Sequence, residues 1–270
     1  MNSLFVILCL MVSSTKVLSQ TLPIKSSKVQ TMNWISKTPI GHRGLHDQDH
    51  PENSLGAFEK AIEANYAIEL DIRLTKDGKI IVFHDIDTER VVGQNVKIRE
   101  TALEDLEKMS ILKSKYTIPS LEKVLELVAG RVPLLIEIKN ESSVGGLEDE
   151  LIRILDSYKG IFAIQSFNPL SLKHISTKRP DYQIGLLVGS FKKSKISFLK
   201  KIVLKYMLLT PYLSPDFFSV EYGVDIWMQK AMMKIYKNKK IIYWTITSKE
   251  KAHQLLREGN GIIFEGFSFK

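Results

Sequence analysis

The chain has 270 residues, is 44% hydrophobic and 25% charged, and holds 15 Gly, 9 Pro and a single cysteine, Cys9. This balance belongs to a packed globular protein and excludes collagen-like, disordered and coiled-coil chains. One cysteine also excludes an internal disulfide or a cysteine-based zinc site. The net charge of +8 is uneven: residues 1–135 carry 17 Lys+Arg and 17 Asp+Glu, so the excess lies wholly in residues 136–270.

Residues 4–12 (LFVILCLMV) form an apolar run. It is too short for a bilayer span, which needs roughly 20 residues. The pattern fits a signal peptide over residues 1–19, with Val17 and Ser19 before a cut at Gln20. No Lys or Arg precedes the run, which keeps a short uncleaved anchor as an alternative. Export to the periplasm, the cell surface or the medium is the expectation, with a cytoplasmic location as the alternative. Residues 20–36 read as a polar spacer, and residues 37–270 as one domain.

From Pro39 onward, β-rich runs alternate with helical patterns. Strands are expected at 39–43, 67–74, 80–84, 133–138, 161–165, 183–188, 217–220, 241–246 and 262–264. Helices are expected at 54–65, 101–109, 121–129, 147–158, 169–177, 195–207, 225–238 and 248–258. Thr101 with Glu104 reads as a capping box, and Ser120 and Gly130 as the start and stop of the helix between them. Alternating strand and helix over this length implies a parallel sheet, closed or doubly wound. Only five residues separate 67–74 from 80–84, too few for a crossover, and Asp77-Gly78 is a hairpin signal. A two-residue turn there pairs Asp71 with His84. Eight parallel strands and one hairpin arm remain, the count of a (β/α)8 TIM barrel.

Residues 190–240 contain 11 Lys against Asp216, Glu221 and Asp225. Lys192, Lys193, Lys195, Lys200, Lys201 and Lys205 interleave with Ile196, Phe198, Leu199, Ile202 and Val203. That spacing suits a solvated outer helix; the functional reading is attraction to an anionic membrane surface. No nucleic-acid-binding motif accompanies the charge.

Charged residues inside apolar strands are costly unless they pair or coordinate. Glu69, Asp71 and Arg73 share one strand face, Glu137 and Lys139 another, and His42-Arg43 ends the first strand. All fall near C-terminal strand ends, where barrels build active sites. Three carboxylates suit a hard divalent cation such as Ca²⁺ or Mg²⁺. Arg43 and Lys139 suit a phosphate oxyanion, and His42 and His84 suit general acid–base work. The set points to metal-assisted phosphoryl transfer.

The motifs His42-Arg43-Gly44, Pro51-Glu52-Asn53, Glu69-x-Asp71, Thr75-Lys76-Asp77-Gly78, His84-Asp85, Glu137-Ile138-Lys139, Ser166-Phe167-Asn168-Pro169 and Trp244-Thr245 together resemble the glycerophosphodiester phosphodiesterase family. The resemblance covers about residues 39–265. It implies a TIM barrel with a small insertion after the His84-Asp85 strand, at about residues 86–118. It also implies divalent-cation-dependent hydrolysis of small glycerophosphodiesters to an alcohol and sn-glycerol 3-phosphate. Carried over by position, His42 and His84 are the acid/base pair, and Glu69, Asp71 and Glu137 the metal ligands. Arg43 and Lys139 then hold the phosphate, Phe167 and Trp244 form apolar walls, and Glu52 and Asn53 stiffen the loop beside the site. Lysophospholipase D chemistry at a membrane surface is the alternative on the same residues. Ser54 stands where the family usually has Thr. Residues 262–266 (IIFEG) replace the more usual Thr-Asp before a Pro. His46, His50, His174 and His253 match no catalytic position and read as surface or loop residues.

Overall fold

The computed structural model describes residues 32–140, 143–190, 209–223, 231 and 234–269. Nine strands form one sheet: β1 (Ile40–Gly41), β2 (Ala67–Leu74), β3 (Ile80–Val82), β4 (Leu134–Ile138), β5 (Phe162–Ser166), β6 (Ile184–Val188), β7 (Phe217–Glu221), β8 (Lys240–Ile246) and β9 (Gly261–Phe264). Their order is β1-β9-β8-β7-β6-β5-β4-β2-β3, and β1 also pairs with β2. Eight parallel strands therefore close on themselves, and β3 is an antiparallel arm on β2. This is the (β/α)8 barrel expected from the alternation. Among the described residues the five longest helices are α1 (Leu55–Glu63), α2 (Leu121–Val128), α3 (Gly146–Leu155), α4 (Pro169–Lys178) and α5 (Lys249–Arg257). The expected helix at 195–207 with its lysines, most of the expected helix at 225–238 and the segment 1–19 lie outside the described residues. No helix among the described residues is long and apolar enough to cross a membrane.

Strand alternation explains how one barrel makes both a core and a site. Ile68, Leu70, Ile72, Leu134, Ile136, Ile138 and Ile164 face outward and pack with Phe58, Ala61, Leu121, Val124 and Leu151 from the helices. Ile40, Ala67, Leu135, Ala163, Phe217, Ile242 and Ile263 face inward and fill the lower barrel. Two residues further along the same inward rows stand His42, Glu69, Glu137, Gln165, Trp244 and Glu265. An apolar floor thus gives way to polar groups at the C-terminal strand ends. Gly185 makes room for that floor: a Cβ there would lie 2.1 Å from the Phe217 ring.

Helix starts follow local chemistry. Ser54 Oγ accepts from Ala57 N (3.2 Å) and caps α1, and Asn168 Oδ1 accepts from Leu170 N (3.0 Å) and caps α4. Two expected caps differ. Thr101 Oγ1 donates to the Lys97 carbonyl at 2.9 Å, because residues 98–100 form a 3₁₀ turn, and the short helix Leu103–Leu106 begins after Ala102. Ser120 precedes α2 but makes no side-chain cap bond, and Ala129, in the left-handed region, ends that helix one residue before Gly130.

The hairpin register is also one residue from the expected one. Ile72 pairs with Val82 and Leu74 with Ile80, and Phe83 N, not His84, bonds to the Asp71 carbonyl at 2.9 Å. Thr75 pairs with Lys79 around a three-residue loop, with Gly78 at φ +73°. Thr75 Oγ1 accepts from Lys79 N and donates to Asp77 Oδ1, which favours the longer loop. His84 and Asp85 therefore lie beyond the end of β3. Residues 86–118 follow as the expected insertion, with a small core of Val91, Ile98, Leu106, Ile111 and Ile118 packed on Ile81 and Phe83.

Candidate active site

His42, Arg43, Glu69, His84, Glu137, Lys139, Gln165, Phe167 and Trp244 line one cavity of about 170 Å³ at the C-terminal ends of the strands. Asp71 lies directly behind, 1% exposed. All nine residues singled out in the sequence converge there. Register does much of the placing: Asp71 stands opposite Glu137, and Glu137 opposite Gln165.

One carboxylate oxygen from each of Glu69, Asp71 and Glu137 lies within 4.8 Å of the others, and all three residues are buried. Three buried oxygen donors at that spacing fit a hard divalent cation. Lys139 Nζ bridges two of them, at 3.2 Å from Asp71 Oδ1 and 2.5 Å from Glu137 Oε1. Arg43 N donates to Glu69 Oε2 at 2.9 Å, and Arg43 Nε lies 3.3 Å from Asp71 Oδ2. Asn53 Nδ2 donates to the same Asp71 oxygen at 3.0 Å.

These neighbours split the carboxylates. Burial, with the charges of Asp71 and Glu137, pushes Glu69 well above the usual carboxylate range. Burial also raises Glu137, although Lys139 opposes it. Asp71 is equally buried, yet Lys139, His84, Arg43 and Asn53 hold it well below that range. Burial lowers Lys139, but Asp71 and Glu137 more than compensate and hold it charged.

The loop between β1 and α1 is bent to serve this cluster. Arg43 (φ +54°), Gly44 (φ +85°) and Asn53 (φ +55°) are all left-handed. A Cβ on Gly44 would lie 2.8 Å from the Ala57 backbone, so only glycine fits that turn. Two non-glycine residues in this region are strain concentrated at a site. Asn53 N bonding to the Arg43 carbonyl at 2.9 Å holds it.

Both histidines are oriented through Nδ1. His84 Nδ1 lies 2.6 Å from Asp85 Oδ1, and its carbonyl accepts from Arg73 Nε and Nη2 at 2.8 and 2.5 Å. Asp85 Oδ2 bonds to Arg90 Nε (2.5 Å), Arg90 clamps Glu52, and Glu52 Oε1 accepts from Arg43 Nη1 at 2.6 Å. A continuous chain of charges therefore joins the two sides of the cavity. Burial lowers the His84 imidazole to about 4, against the charge of Asp71, so the ring is neutral at neutral pH. His42 Nδ1 lies 2.6 Å from Glu265 Oε2. In each case the ring's Nε2 is the nitrogen left for the cavity.

Arg90 and Gln165 are the residues that sequence reasoning passed over, and the role of Glu265, seen there only within the departing IIFEG segment, comes from the structure. Barrel closure finds Glu265: Ile40 pairs with Ile263 and Gly41 with Phe264, so His42 meets Glu265 one step further. Gln165 carries a sharper signal. It is 1% exposed, lines the cavity, and its Oε1 has no hydrogen-bond partner among the described residues. Phe167 and Trp244 meet edge-to-face at 5.7 Å and wall the opposite side.

Comparison with known proteins places this geometry. A relative from Caldanaerobacter subterraneus, a glycerophosphodiester phosphodiesterase, is 28% identical over 237 residues, covering 83% of this chain and 92% of its own. A Bacillus subtilis protein named as a putative glycerophosphodiester phosphodiesterase is 31% identical over 188 residues, covering 63% and 76%. A phosphodiesterase from Oleispira antarctica, solved with its product sn-glycerol-3-phosphate, superposes with a TM-score of 0.73 at 21% identity, over 87% of this chain and 94% of that one. The glycerophosphodiester phosphodiesterase from Thermotoga maritima gives 0.65 at 28% identity, over 84% and 94%. The sequence pattern of the glycerophosphoryl diester phosphodiesterase family matches residues 42–264, and the chain belongs to that family.

Proposed function

We propose that this enzyme hydrolyses glycerophosphodiesters to an alcohol and sn-glycerol 3-phosphate, with a divalent cation held by Glu69, Asp71 and Glu137. The observation that carries the reading is the buried carboxylate trio with a cationic rim and two oriented imidazoles in one cavity. Ca²⁺ and Mg²⁺ both suit an all-oxygen donor set. When bound there, the cation supplies positive charge to the phosphoryl oxygens and lowers the pKa of an adjacent hydroxyl.

The chain's own groups supply the rest. Arg43 and Lys139 present cations to the phosphate, where developing charge is best stabilised by groups already in place. His84, neutral at neutral pH, accepts at Nε2 the proton of the glycerol 2-hydroxyl as that oxygen bonds to phosphorus. His42 donates from Nε2 to the leaving alcohol oxygen, with Glu265 accepting at Nδ1. Water then attacks phosphorus of the resulting cyclic phosphate, the bond to the 2-oxygen breaks, and the pair exchanges roles for this second proton transfer. Phe167 and Trp244 exclude water beside the bond that breaks, and Gln165 Oε1 accepts a substrate hydroxyl.

Supporting an exported site of action, residues 4–12 and Val17-x-Ser19 keep the pattern of a signal peptide; fractionating cells that express the tagged chain tests this. For the reaction, the test is product analysis by ³¹P NMR with glycerophosphocholine and added Ca²⁺ or Mg²⁺. Glycerol 3-phosphate with free choline is the expected pair. Phosphocholine with free glycerol means that the other ester bond breaks and overturns the assignment.

A further inference from the structure

The loop after β1 brings a third imidazole to the cavity rim. His46 Nε2 lies 3.7 Å from Glu265 Oε2, the same oxygen that meets His42 Nδ1 at 2.6 Å. One donor atom from each of His42, His46 and Glu265 lies within 4.8 Å of the others. Among the described residues, the ion pairs of Glu265 are with these two rings. The three side chains are 19%, 28% and 33% exposed, so an ion can reach them from solvent.

This donor set differs in kind from the carboxylate trio. Two imidazole nitrogens and one carboxylate oxygen suit a borderline metal such as Zn²⁺, whereas Ca²⁺ and Mg²⁺ prefer oxygen alone. Three protein ligands with one position open is a common zinc arrangement. Zinc bonds of about 2.0–2.2 Å in a tetrahedron set neighbouring donors about 3.3–3.5 Å apart. The His46–Glu265 spacing is already close to that. The His42–Glu265 contact needs to open by less than about 1 Å, a small side-chain movement at a partly exposed rim.

We propose that His42, His46 and Glu265 form an inhibitory site for Zn²⁺ or a similar transition-metal ion. Occupation takes Glu265 from its place as the Nδ1 acceptor and ties the His42 ring to the metal, so His42 no longer transfers protons. The inhibitory consequence rests on the catalytic role of His42 proposed above; the metal site itself does not. The enzyme then answers oppositely to two ion classes, with hard cations supporting turnover at the carboxylates and a borderline cation stopping it at the rim.

The test compares the wild-type protein with His46→Ala, since the mechanism proposed above gives His46 no step. Initial rates are measured at saturating Ca²⁺ while Zn²⁺ is added, and Zn²⁺ binding is measured by calorimetry on the same Ca²⁺-loaded samples. The expected result is zinc inhibition of the wild type, a basal rate for H46A within about twofold, and at least a tenfold rise in both its half-inhibitory zinc concentration and its zinc dissociation constant. Unchanged zinc inhibition and binding in H46A would show that zinc acts at the carboxylates or elsewhere, and would overturn the site. A wild type that binds no zinc overturns it as well. If no diester is cleaved at all, the calorimetry still decides: a zinc site weakened in H46A supports the metal site while the reaction assignment fails.

Discussion

Lys139→Met removes the ammonium that bridges two buried carboxylates, and its cost follows from the surroundings. Lys139 Nζ contacts Asp71 and Glu137 at 3.2 and 2.5 Å, where both acids are under one-tenth exposed. Breaking a buried pair by deleting one partner costs about 3–5 kcal/mol. A domain of this size loses roughly 2–4 °C of melting temperature per kcal/mol, so a fall of about 6–20 °C is expected in EDTA. The sign of the pH dependence is fixed by Glu137. Its carboxyl is already raised by burial, and without Lys139 it rises further. The folded state then binds more protons than the unfolded one between the usual carboxylate value and the raised one, so stability falls as pH rises through that window. The deficit of K139M should therefore be small near pH 5 and largest near pH 8. A divalent cation held as proposed should replace the missing charge, and at a hundredfold over its dissociation constant return about 2.7 kcal/mol. The assay is thermal unfolding of both proteins from pH 5 to 8, in EDTA and with Ca²⁺ or Mg²⁺. A variant that melts within about 2 °C of wild type in EDTA at pH 8 would refute the reasoning, as would a deficit that grows on acidification.

Four other outcomes follow from the same contacts. His42→Ala and His84→Ala should each lose about 10²–10⁴-fold in turnover with folding intact by circular dichroism; wild-type-like rates in both would remove the acid/base pair. Because burial lowers His84 to about 4 and a cation beside Asp71 would lower it further, the acid limb of kcat/KM at saturating cation should lie at or below that value, and a limb near the ordinary histidine range would contradict the assignment. Gln165→Leu should raise KM for small glycerophosphodiesters by about tenfold, the worth of one lost hydrogen bond; an unchanged KM would leave its buried Oε1 without a substrate partner. Phe217→Ala should lower stability by about 3–5 kcal/mol in denaturant unfolding, since the ring is fully buried in the barrel floor; a loss under 1 kcal/mol would show that the floor collapses around it.

The parts of the molecule legible in sequence were those set by local periodicity. Glu69 with Asp71, and Glu137 with Lys139, interrupt apolar strands at a spacing of two, which sets both their face and their cost without any knowledge of the pairing. The short gap at residues 75–79 separated the hairpin arm from the eight barrel strands. What escaped depends on contacts distant in sequence or on competition between local bonds. Glu265 meets His42 across 223 positions, and only the closing register of β1 on β9 brings them together. Two-residue and three-residue turns share the Asp77-Gly78 signal. The hydroxyl of Thr75 decides between them, and the difference carries His84 past the strand end, where Arg73 holds its carbonyl. Thr101 shows the same limit: its hydroxyl can cap a helix by accepting from a backbone N–H or close the turn before it by donating, and the 3₁₀ turn at residues 98–100 makes it a donor to the Lys97 carbonyl. Gln165 offers no sequence signal beyond being polar in an inward row, and its significance rests on a buried Oε1 with no hydrogen-bond partner among the described residues.

The central claim is that the carboxylate trio holds the cation on which diester cleavage depends. The most direct measurement is release of glycerol 3-phosphate from glycerophosphocholine by the wild type and by Glu137→Gln, first in EDTA and then across a titration of Ca²⁺ or Mg²⁺. The account predicts no release in EDTA, recovery with the cation in the wild type, and a titration midpoint for E137Q shifted at least tenfold upward. Full activity in EDTA, or an E137Q titration superimposable on that of the wild type, would contradict it.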